Sequence, residues 1–304
     1  MNLHHDKEAF AELIIGAANE LAIPPNVIEK DYYVTITLKA LAEKTKDMVF
    51  KGGTSLTKCY QLLDRFSEDI DLSYTAESGM PGESRKKQLK NNIVSTMEEF
   101  GFPINNLETT RSRRNYNCYR ASYPSFYEQN GILKPELVIE TYVAMLPFPT
   151  TKRMVDNYIY RFLSEINRLD LAETYELMPF KITTQTIERT LVDKVFALCD
   201  YYMQEKTERH SRHLYDIHKI VETMGISNEL PNLIPEVRAV RSEMIVCPSA
   251  KEGVCVADIL REIINSQVYK RDYEDITMGL LFVPVDYETV IQSLQKVLDS
   301  GMWE

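Results

Sequence analysis

This chain carries two neighbouring motifs, Lys51-Gly-Gly-Thr-Ser-Leu-Thr-Lys58 and Ser67-Glu-Asp-Ile-Asp-Leu-Ser73, and they decide its fold. The apolar run Met48-Val-Phe50 before the first motif predicts a short strand. The two glycines predict a turn in which the backbone can approach a ligand closely. We expect a short helix to follow, with Thr54 or Ser55 as its N-cap. The N-terminus of that helix would present free N–H groups and a positive dipole end, which suit a phosphate.

The second motif alternates polar and apolar residues, as a strand with one buried face does. Asp69 and Asp71 would point to one side, and Ile70, Leu72 and Tyr74 would face a core. Two carboxylates held side by side repel each other, and such a pair commonly holds a hard divalent cation together with substrate phosphates. The order of strand, Gly-Gly turn, helix and acidic strand therefore favours a nucleotide–metal site over a polar turn followed by a solvated strand face.

The composition is that of an ordinary globular protein. The chain has 304 residues, of which 44% are hydrophobic and 26% charged, so it can bury an ample core in one large domain or two. No apolar run approaches a membrane span, no signal peptide is recognisable, and the five cysteines form no Cys-x-x-Cys pair. We therefore expect a cytoplasmic protein without a membrane partner. Because the net charge is −10, a nucleic acid could bind only at a local basic patch.

Further elements follow from the hydrophobic pattern. Residues 106–123 alternate enough for two strands, and residues 136–142 predict another strand. Glu140 is a lone acid on that otherwise apolar strand, where burial is costly unless the acid is paired or binds a metal. From about residue 150 the pattern changes: it predicts helices over 155–163, 186–200 and 214–220, and a short edge strand over 180–184.

Together these motifs resemble the signature of the nucleotidyltransferase superfamily, the DNA polymerase β-like fold. More narrowly, Gly-Gly-Thr-Ser-Leu with Arg-Phe-Ser-Glu-Asp-Ile-Asp-Leu is similar to the AbiEii/AbiGii-type toxin family of bacterial nucleotidyltransferases. The resemblance covers about residues 25–222 and implies an α+β fold. Residues 1–150 would form a catalytic domain with a mixed β-sheet flanked by helices, and residues 151–304 a mainly helical domain that completes the nucleotide pocket.

The resemblance also implies a reaction, in which a nucleoside monophosphate moves from an NTP to an acceptor hydroxyl and pyrophosphate is released. Asp69, Asp71 and a third carboxylate would bind Mg²⁺ or Mn²⁺; Glu140 is the first choice for the third and Glu136 the fallback, although the family more often has Asp there. The residues implied to bind the nucleotide are Gly52, Gly53, Thr54, Ser55, Lys58 and Lys194 at the phosphates, and Arg212 and Asp216 in the surrounding pocket.

Several of these residues also have a simpler interpretation. Lys194 could be a lysine stretched along the protein surface, and Arg212 and Asp216 could form an i, i+4 ion pair on a helix surface. The family more often has Asp where His213 stands. Two histidines at i, i+3, His210 and His213, are a weak pattern for a metal site.

Three charged patches have both a structural and a functional interpretation. Glu29-Lys-Asp31 is either solvated or, since family members carry a similar Glu-Lys-Asp-Tyr run, braces the active-site face. The others are basic side chains of the helix predicted over 83–100 and arginines interleaved with tyrosines over 111–123. Both are either exposed surface or line a nucleic-acid groove. Their members are Arg85, Lys86, Lys87 and Lys90 in the first set, and Arg111, Arg113, Arg114, Arg120, Tyr116, Tyr119 and Tyr123 in the second.

Three functions are compatible with these patterns. The first is a nucleotidyltransferase toxin of a type IV-like toxin–antitoxin or abortive-infection system that acts on tRNA and is held in check by a separately encoded antitoxin. The second keeps the fold but modifies a protein or a small molecule, which the net charge of −10 favours. The third is a non-catalytic nucleotide-binding or protein-interaction module, against which the intact set of acidic residues argues.

Overall fold

The computed structural model describes residues 2–65, 67, 69–127 and 135–304, which fall into two compact units. The first unit comprises Met1–Tyr60 and Ser67–Gln185, and the second comprises Gln61–Phe66 and Thr186–Glu304. The first unit thus extends beyond the domain boundary predicted at residue 150, because two more strands of its sheet follow that position. Glu68 of the second motif lies outside the described residues.

The first unit is built on a mixed six-stranded sheet, as predicted. In spatial order its strands are β3 (Tyr116–Ser122), β4 (Glu136–Tyr142), β2 (Asp69–Tyr74), β1 (Met48–Lys51), β6 (Phe180–Gln185) and β5 (Thr150–Val155). The pairs β2–β4 and β1–β6 are parallel, and the other three pairs are antiparallel. Phe50, Ile70 and Ile139, on three central strands, are completely buried.

In its described residues the first unit also has six α-helices, which give it an α+β fold: α1 (Lys7–Leu21), α2 (Pro25–Lys44), α3 (Gly52–Lys58), α4 (Glu83–Phe100), α5 (Tyr158–Glu165) and α6 (Leu169–Thr174). Their ends follow the sequence signals. The Asp6 carboxylate accepts the backbone N–H of Ala9 at 3.1 Å and so caps α1. Pro25 occupies the first turn of α2, and Gly101, with φ +70°, ends α4.

Three expectations for the first unit were wrong. Residues 106–123 form one strand rather than two, and outside β3 only a single bridge joins Ile104 to Ala121. Residues 150–155 form β5, so the helix expected from residue 155 begins at Tyr158. The strand expected at the edge, β6, lies inside the sheet because β5 pairs with its outer side.

The described part of the second unit is helical except for an isolated bridge between Arg65 and Leu281. Thr186 caps its first helix, and Asp286 caps its last, through their side-chain oxygens. No helix among the described residues is both long and apolar enough to cross a membrane. The helices are α7 (Ile187–Met203), α8 (Arg212–Met224), α9 (Leu230–Ser242), α10 (Val256–Ser266), α11 (Lys270–Asp272) and α12 (Tyr287–Asp299).

A buried histidine should make the stability of the first unit depend on pH. His4 packs among aromatic rings with its Nδ1 2.8 Å from the hydroxyl of Tyr32, and burial, aided by His5, lowers its pKa from 6.5 to about 4. Between pH 6.5 and pH 4 the imidazole of His4 is therefore protonated in the unfolded chain but neutral in the folded protein. The free energy of unfolding consequently falls as the pH drops through this range. In urea unfolding, the wild type should lose about 2 kcal/mol more stability between pH 7 and pH 4.5 than His4→Phe loses, because the variant has no histidine to protonate at this position. The control is His5→Phe, at the exposed neighbouring histidine. The prediction is contradicted if the free energy of unfolding depends on pH equally in both variants.

Candidate active site

The predicted acidic residues of the first unit lie on one face of the sheet. In the parallel pair β2–β4, Asp71 lies directly opposite Glu140, and Asp69 lies opposite Val138. The three carboxylate residues are half-buried, whereas Ile70, between the aspartates, is fully buried on the other face. The register therefore brings the third carboxylate chosen from the sequence next to Asp71.

Gly52 lies against the carboxylate of Asp71. Lys51, at the end of β1, is paired with Asp71, and Gly52 follows with φ +79°, in the left-handed region that favours glycine. A Cβ built on Gly52 would lie 2.0 Å from Oδ2 of Asp71. Any other amino acid would have to displace that carboxylate, so the first glycine of the motif determines where Asp71 can lie.

We expect Gly52→Ala to lower both stability and activity. A residue with a Cβ at this φ costs about 1–2 kcal/mol, and the displaced Asp71 carboxylate should reduce nucleotide transfer about a hundredfold. Gly79→Ala is the matched control, because Gly79 has φ +69° but no atom within 4 Å of a Cβ. The melting temperature and the transfer rate of each variant are measured. Both variants carry the backbone strain and should melt at a lower temperature, but only Gly52→Ala should lose activity. Equal transfer rates would show that the contact with Asp71 is unimportant.

Helix α3 begins at Gly52 rather than at Ser55, so neither hydroxyl residue caps it. The Ser55 hydroxyl donates to the Gly52 carbonyl oxygen at 2.8 Å, and the Thr54 hydroxyl lies 2.8 Å from that of Ser67. Because Ser67 opens the second motif, the Thr54–Ser67 hydrogen bond joins the two motifs. Both hydroxyls are buried and engaged, so a phosphate at this turn would meet backbone N–H groups, those of Gly52 and Gly53 among them.

Lys58 is committed to partners inside the first unit. Its ammonium forms an ion pair with the Asp31 carboxylate and donates to the Thr35 hydroxyl at 2.6 Å and to the Asp156 carbonyl oxygen at 3.2 Å. Burial lowers the pKa of Lys58, and Asp31 opposes that shift. Lys58 thus ties the end of α3 to α2, and its contact with a phosphate stays a prediction.

The charged run Glu29-Lys-Asp31 is buried in α2 rather than solvated. The Glu29 carboxylate accepts hydrogen bonds from the Ser125 hydroxyl at 2.6 Å and from the Phe126 backbone N–H at 2.8 Å. The Asp31 carboxylate accepts the backbone N–H of Tyr158 at 2.9 Å, at the start of α5. Both acids are therefore fixed by contacts with distant segments of the chain.

Lys30, between these two acids, is a buried cation close to the acidic face. It is 1% exposed, and burial lowers its pKa to about 8 while the nearby carboxylates of Asp69 and Glu136 oppose the shift. The positive charge offsets part of the repulsion among the carboxylates. This placement agrees with the bracing role expected for the run.

Glu140 and Glu136 differ in the partners they have on β3. The Tyr116 hydroxyl donates to Oε1 of Glu140 at 2.9 Å, whereas Arg120 forms an ion pair with Glu136 at 3.0 Å. Burial and then Glu140 raise the pKa of Tyr116, which keeps it a neutral donor. Glu140 thus has a neutral hydrogen-bond partner, whereas the carboxylate of Glu136 is paired with a guanidinium. These partners favour Glu140 as the third carboxylate.

The chemistry of the three carboxylates fits a hard cation, because all the donors are oxygen atoms. Among the described residues, no group of three or more His, Cys, Asp or Glu side chains is placed closely enough to hold a metal ion. Adjacent strands are only about 4.8 Å apart, so side-chain rotation without backbone movement could bring the carboxylates of Asp71 and Glu140 together.

In the second unit, Lys194 and Asp216 form a buried cluster with Arg65. The Asp216 carboxylate accepts from Nε of Arg65 at 2.7 Å, from Nη2 of Arg65 at 2.8 Å and from Nζ of Lys194 at 2.5 Å. Although burial alone would raise it, these two cations hold the pKa of Asp216 well below its usual range. Lys194 is therefore not a lysine stretched along the surface.

The ion pair between Arg65 and Asp216 is a contact that the sequence did not reveal. Arg65 belongs to the Arg-Phe-Ser-Glu-Asp motif, but its partner Asp216 is 151 positions away in the chain. Arg212 is exposed, and among the described contacts it does not pair with Asp216, both of whose oxygens bind Arg65 or Lys194. The i, i+4 surface pair expected as the simpler interpretation of Arg212 and Asp216 is therefore absent.

A mixed sheet with paired aspartates beside a Gly-Gly turn defines a nucleotidyltransferase. The profile of the AbiEii family, described as "Nucleotidyl transferase AbiEii toxin, Type IV TA system", matches residues 37–299. The match spans most of the chain, which therefore belongs to the AbiEii nucleotidyltransferase toxins. Membership confirms the resemblance and makes the protein an enzyme with an NTP substrate and an antitoxin partner.

One solved structure with a similar fold is that of MenT4, a nucleotidyltransferase toxin from Mycobacterium tuberculosis. The TM-score is 0.49 at 15% sequence identity, and the alignment covers 95% of this chain and 89% of MenT4. A comparison with curated proteins finds no match.

Proposed function

We propose that this toxin transfers a nucleoside monophosphate from an NTP to an acceptor hydroxyl and releases pyrophosphate. The observation that supports this best is the position of Asp71, which lies opposite Glu140 and directly against Gly52. Phosphoryl transfer asks a protein mainly for positioning and electrostatic stabilisation. The carboxylates of this face would provide the electrostatic stabilisation, and the glycine turn beside them would position the phosphates.

Asp69, Asp71 and Glu140 would hold Mg²⁺ or Mn²⁺. A divalent cation there would neutralise phosphate charge and polarise the phosphoryl oxygen. Glu140, which accepts a hydrogen bond from the Tyr116 hydroxyl, would also accept the proton of the acceptor hydroxyl. The Gly52 turn lets the backbone come close to the phosphates, because no Cβ stands in the way.

For the second unit we propose that Lys194 binds the triphosphate. Its ammonium is held in one place by Asp216, which Arg65 in turn fixes through two hydrogen bonds. A cation held in one rotamer loses less entropy when an anion binds than a mobile one does. Arg212, exposed at the start of α8, would contact the same nucleotide.

We further propose tRNA as the acceptor. Arg113 and Arg114 are exposed in the loop that leads into β3, and Tyr116, the first residue of β3, is 48% exposed and contacts Glu140. Exposed arginines followed by an aromatic ring suit a single-stranded nucleic acid. The net charge of −10 favours a protein or small-molecule acceptor instead, so that alternative stands beside tRNA.

Transfer from a radiolabelled NTP tests the proposal. The purified chain is incubated with Mg²⁺ or Mn²⁺ and each NTP, in the presence of tRNA, protein extract or no acceptor. We expect label in the tRNA fraction. Label in protein or a small molecule would overturn the tRNA acceptor and keep the transfer reaction, whereas no label under any condition would overturn the reaction itself.

A further inference from the structure

Three aromatic rings of the second unit lie parallel to one another: Tyr201 on α7, and His210 and His213 around the start of α8. The centroids of Tyr201 and His210 are 3.5 Å apart with planes 7° apart. His213 lies 5.7 Å from Tyr201 and 6.2 Å from His210, at 15° and 8°. These distances place His210 over Tyr201 and His213 to the side of that pair. The ring face of His213 is therefore parallel to the stack and covered by neither of the other two rings.

The segment that carries the two histidines, the loop before α8 and the first turn of α8, is fixed by contacts with the rest of the unit. The Asp272 carboxylate accepts the backbone N–H groups of Arg209 at 2.6 Å and Ser211 at 3.1 Å. The hydroxyls of Ser211 and Thr277 are 2.7 Å apart, and both side chains are buried. The backbone around the two histidines is thus held in place before any ligand arrives, and this preorganisation lowers the cost of binding.

Both imidazoles have unused hydrogen-bonding capacity. Nδ1 of His210 and of His213 is buried without a partner among the described residues, although both residues are partly exposed. Such an atom in a native structure requires an explanation, and an absent ligand is one. Burial, then the Lys194 and Arg212 cations, lower the pKa of His213, so it is a neutral ring with one donor and one acceptor nitrogen.

We propose that Tyr201, His210 and His213 form the binding surface for the nucleobase of the NTP. This inference rests on the proposed nucleotide transfer, in which Lys194 binds the triphosphate. Lys194 and Tyr201 both lie on α7, about two helical turns apart and therefore on the same side of the helix. A nucleobase is flat and carries donors and acceptors along its edge, which matches a parallel aromatic surface with neutral imidazole edges.

A metal ion is not the ligand that these rings favour. No third His, Cys, Asp or Glu joins His210 and His213 in a metal-holding group among the described residues. An isolated phosphate would gain nothing from ring faces, whereas a base stacks on them. The rings therefore determine which NTP binds, rather than how tightly its phosphates are held.

The test compares NTPs with inorganic tripolyphosphate, which has the phosphates but no base. Calorimetric titration in Mg²⁺ buffer is carried out on the full chain, on His210→Leu and on His213→Leu, with His5→Leu as a control at an exposed histidine of the first unit. We expect wild type to bind at least one NTP more tightly than tripolyphosphate. Each test variant should weaken that NTP about tenfold and leave tripolyphosphate binding unchanged.

Two results would overturn the base site: NTP affinities in both variants equal to wild type, or a loss that is as large for tripolyphosphate as for NTPs. Thermal melts show whether each variant is folded. Because the two histidines are replaced separately, each variant tests the base site on its own. The transfer proposal can fail separately. If wild type labels no acceptor but the variants still lose base-dependent NTP binding, the base site stands and only the reaction is wrong.

Discussion

Asp71→Asn should abolish nucleotide transfer and leave the folded protein as stable as wild type or slightly more stable. The amide has the size of the carboxylate, so it fits against Gly52 without a new clash. It removes one of three negative charges from the face formed by Asp69, Asp71 and Glu140, which relieves repulsion in the absence of a ligand. It also removes the charge that would bind the cation and its phosphates, and we expect transfer to fall about a thousandfold or more.

The measurement is the initial rate of label transfer together with a thermal melt of each protein. Asp47→Asn is the matched control, because Asp47 is an exposed acid of the same unit whose contact with Arg85 is a loose one of 3.9 Å. It should keep full activity. If Asp71→Asn retained more than a tenth of the wild-type rate, the carboxylate face would not be the reaction centre.

The core of this site could be predicted because its signals are local. Asp69 and Asp71 alternate with apolar residues, and this pattern alone places them on one face of a strand. The prediction of Glu140 as the third carboxylate required two further signals. Glu140 is a lone acid on an otherwise apolar strand, and the family resemblance implies a third acid on such a strand. Its position opposite Asp71 is set by the pairing of β2 with β4, which no neighbouring residue specifies.

Contacts between residues that lie far apart in the chain could not be predicted from the sequence. Lys58 follows Gly53 by five positions, and its ion-pair partner is Asp31, 27 positions earlier in the chain. The pairing of Arg65 with Asp216 spans 151 positions. A motif shows which residues are unusual, whereas a tertiary fold decides which of them bind each other instead of a ligand.

Strand β5 was missed for a different physical reason. It is an edge strand, and Lys152 and Arg153 are exposed on it. Charged side chains on an edge protect it from pairing with another chain, and they also remove the alternation by which a strand is recognised. The boundary of the first unit was therefore placed too early, before the two strands that complete its sheet.

Asp216→Asn should cause a larger loss of stability than either Gly52→Ala or Asp71→Asn. Asp216 is fully buried, and it is the shared acceptor of Arg65 and Lys194, which are themselves 3% and 7% exposed. The amide cannot balance their charges, and breaking a buried pair by removing one partner costs about 3–5 kcal/mol. Urea unfolding at pH 7 measures this loss, with far-ultraviolet circular dichroism as the probe.

Asp170→Asn is the matched control for that loss. Arg168 binds the Asp170 carboxylate through two nitrogens, each at 2.9 Å, much as Arg65 binds Asp216, but the Arg168–Asp170 pair is exposed to water. Its removal should leave the unfolding midpoint unchanged within error, because solvent already screens the charges. A second variant isolates the cause: adding Lys194→Met to Asp216→Asn removes one of the two buried cations and should recover part of the lost stability. If the double variant were less stable than Asp216→Asn alone, the loss would come from packing around the side chain and not from unbalanced buried charge.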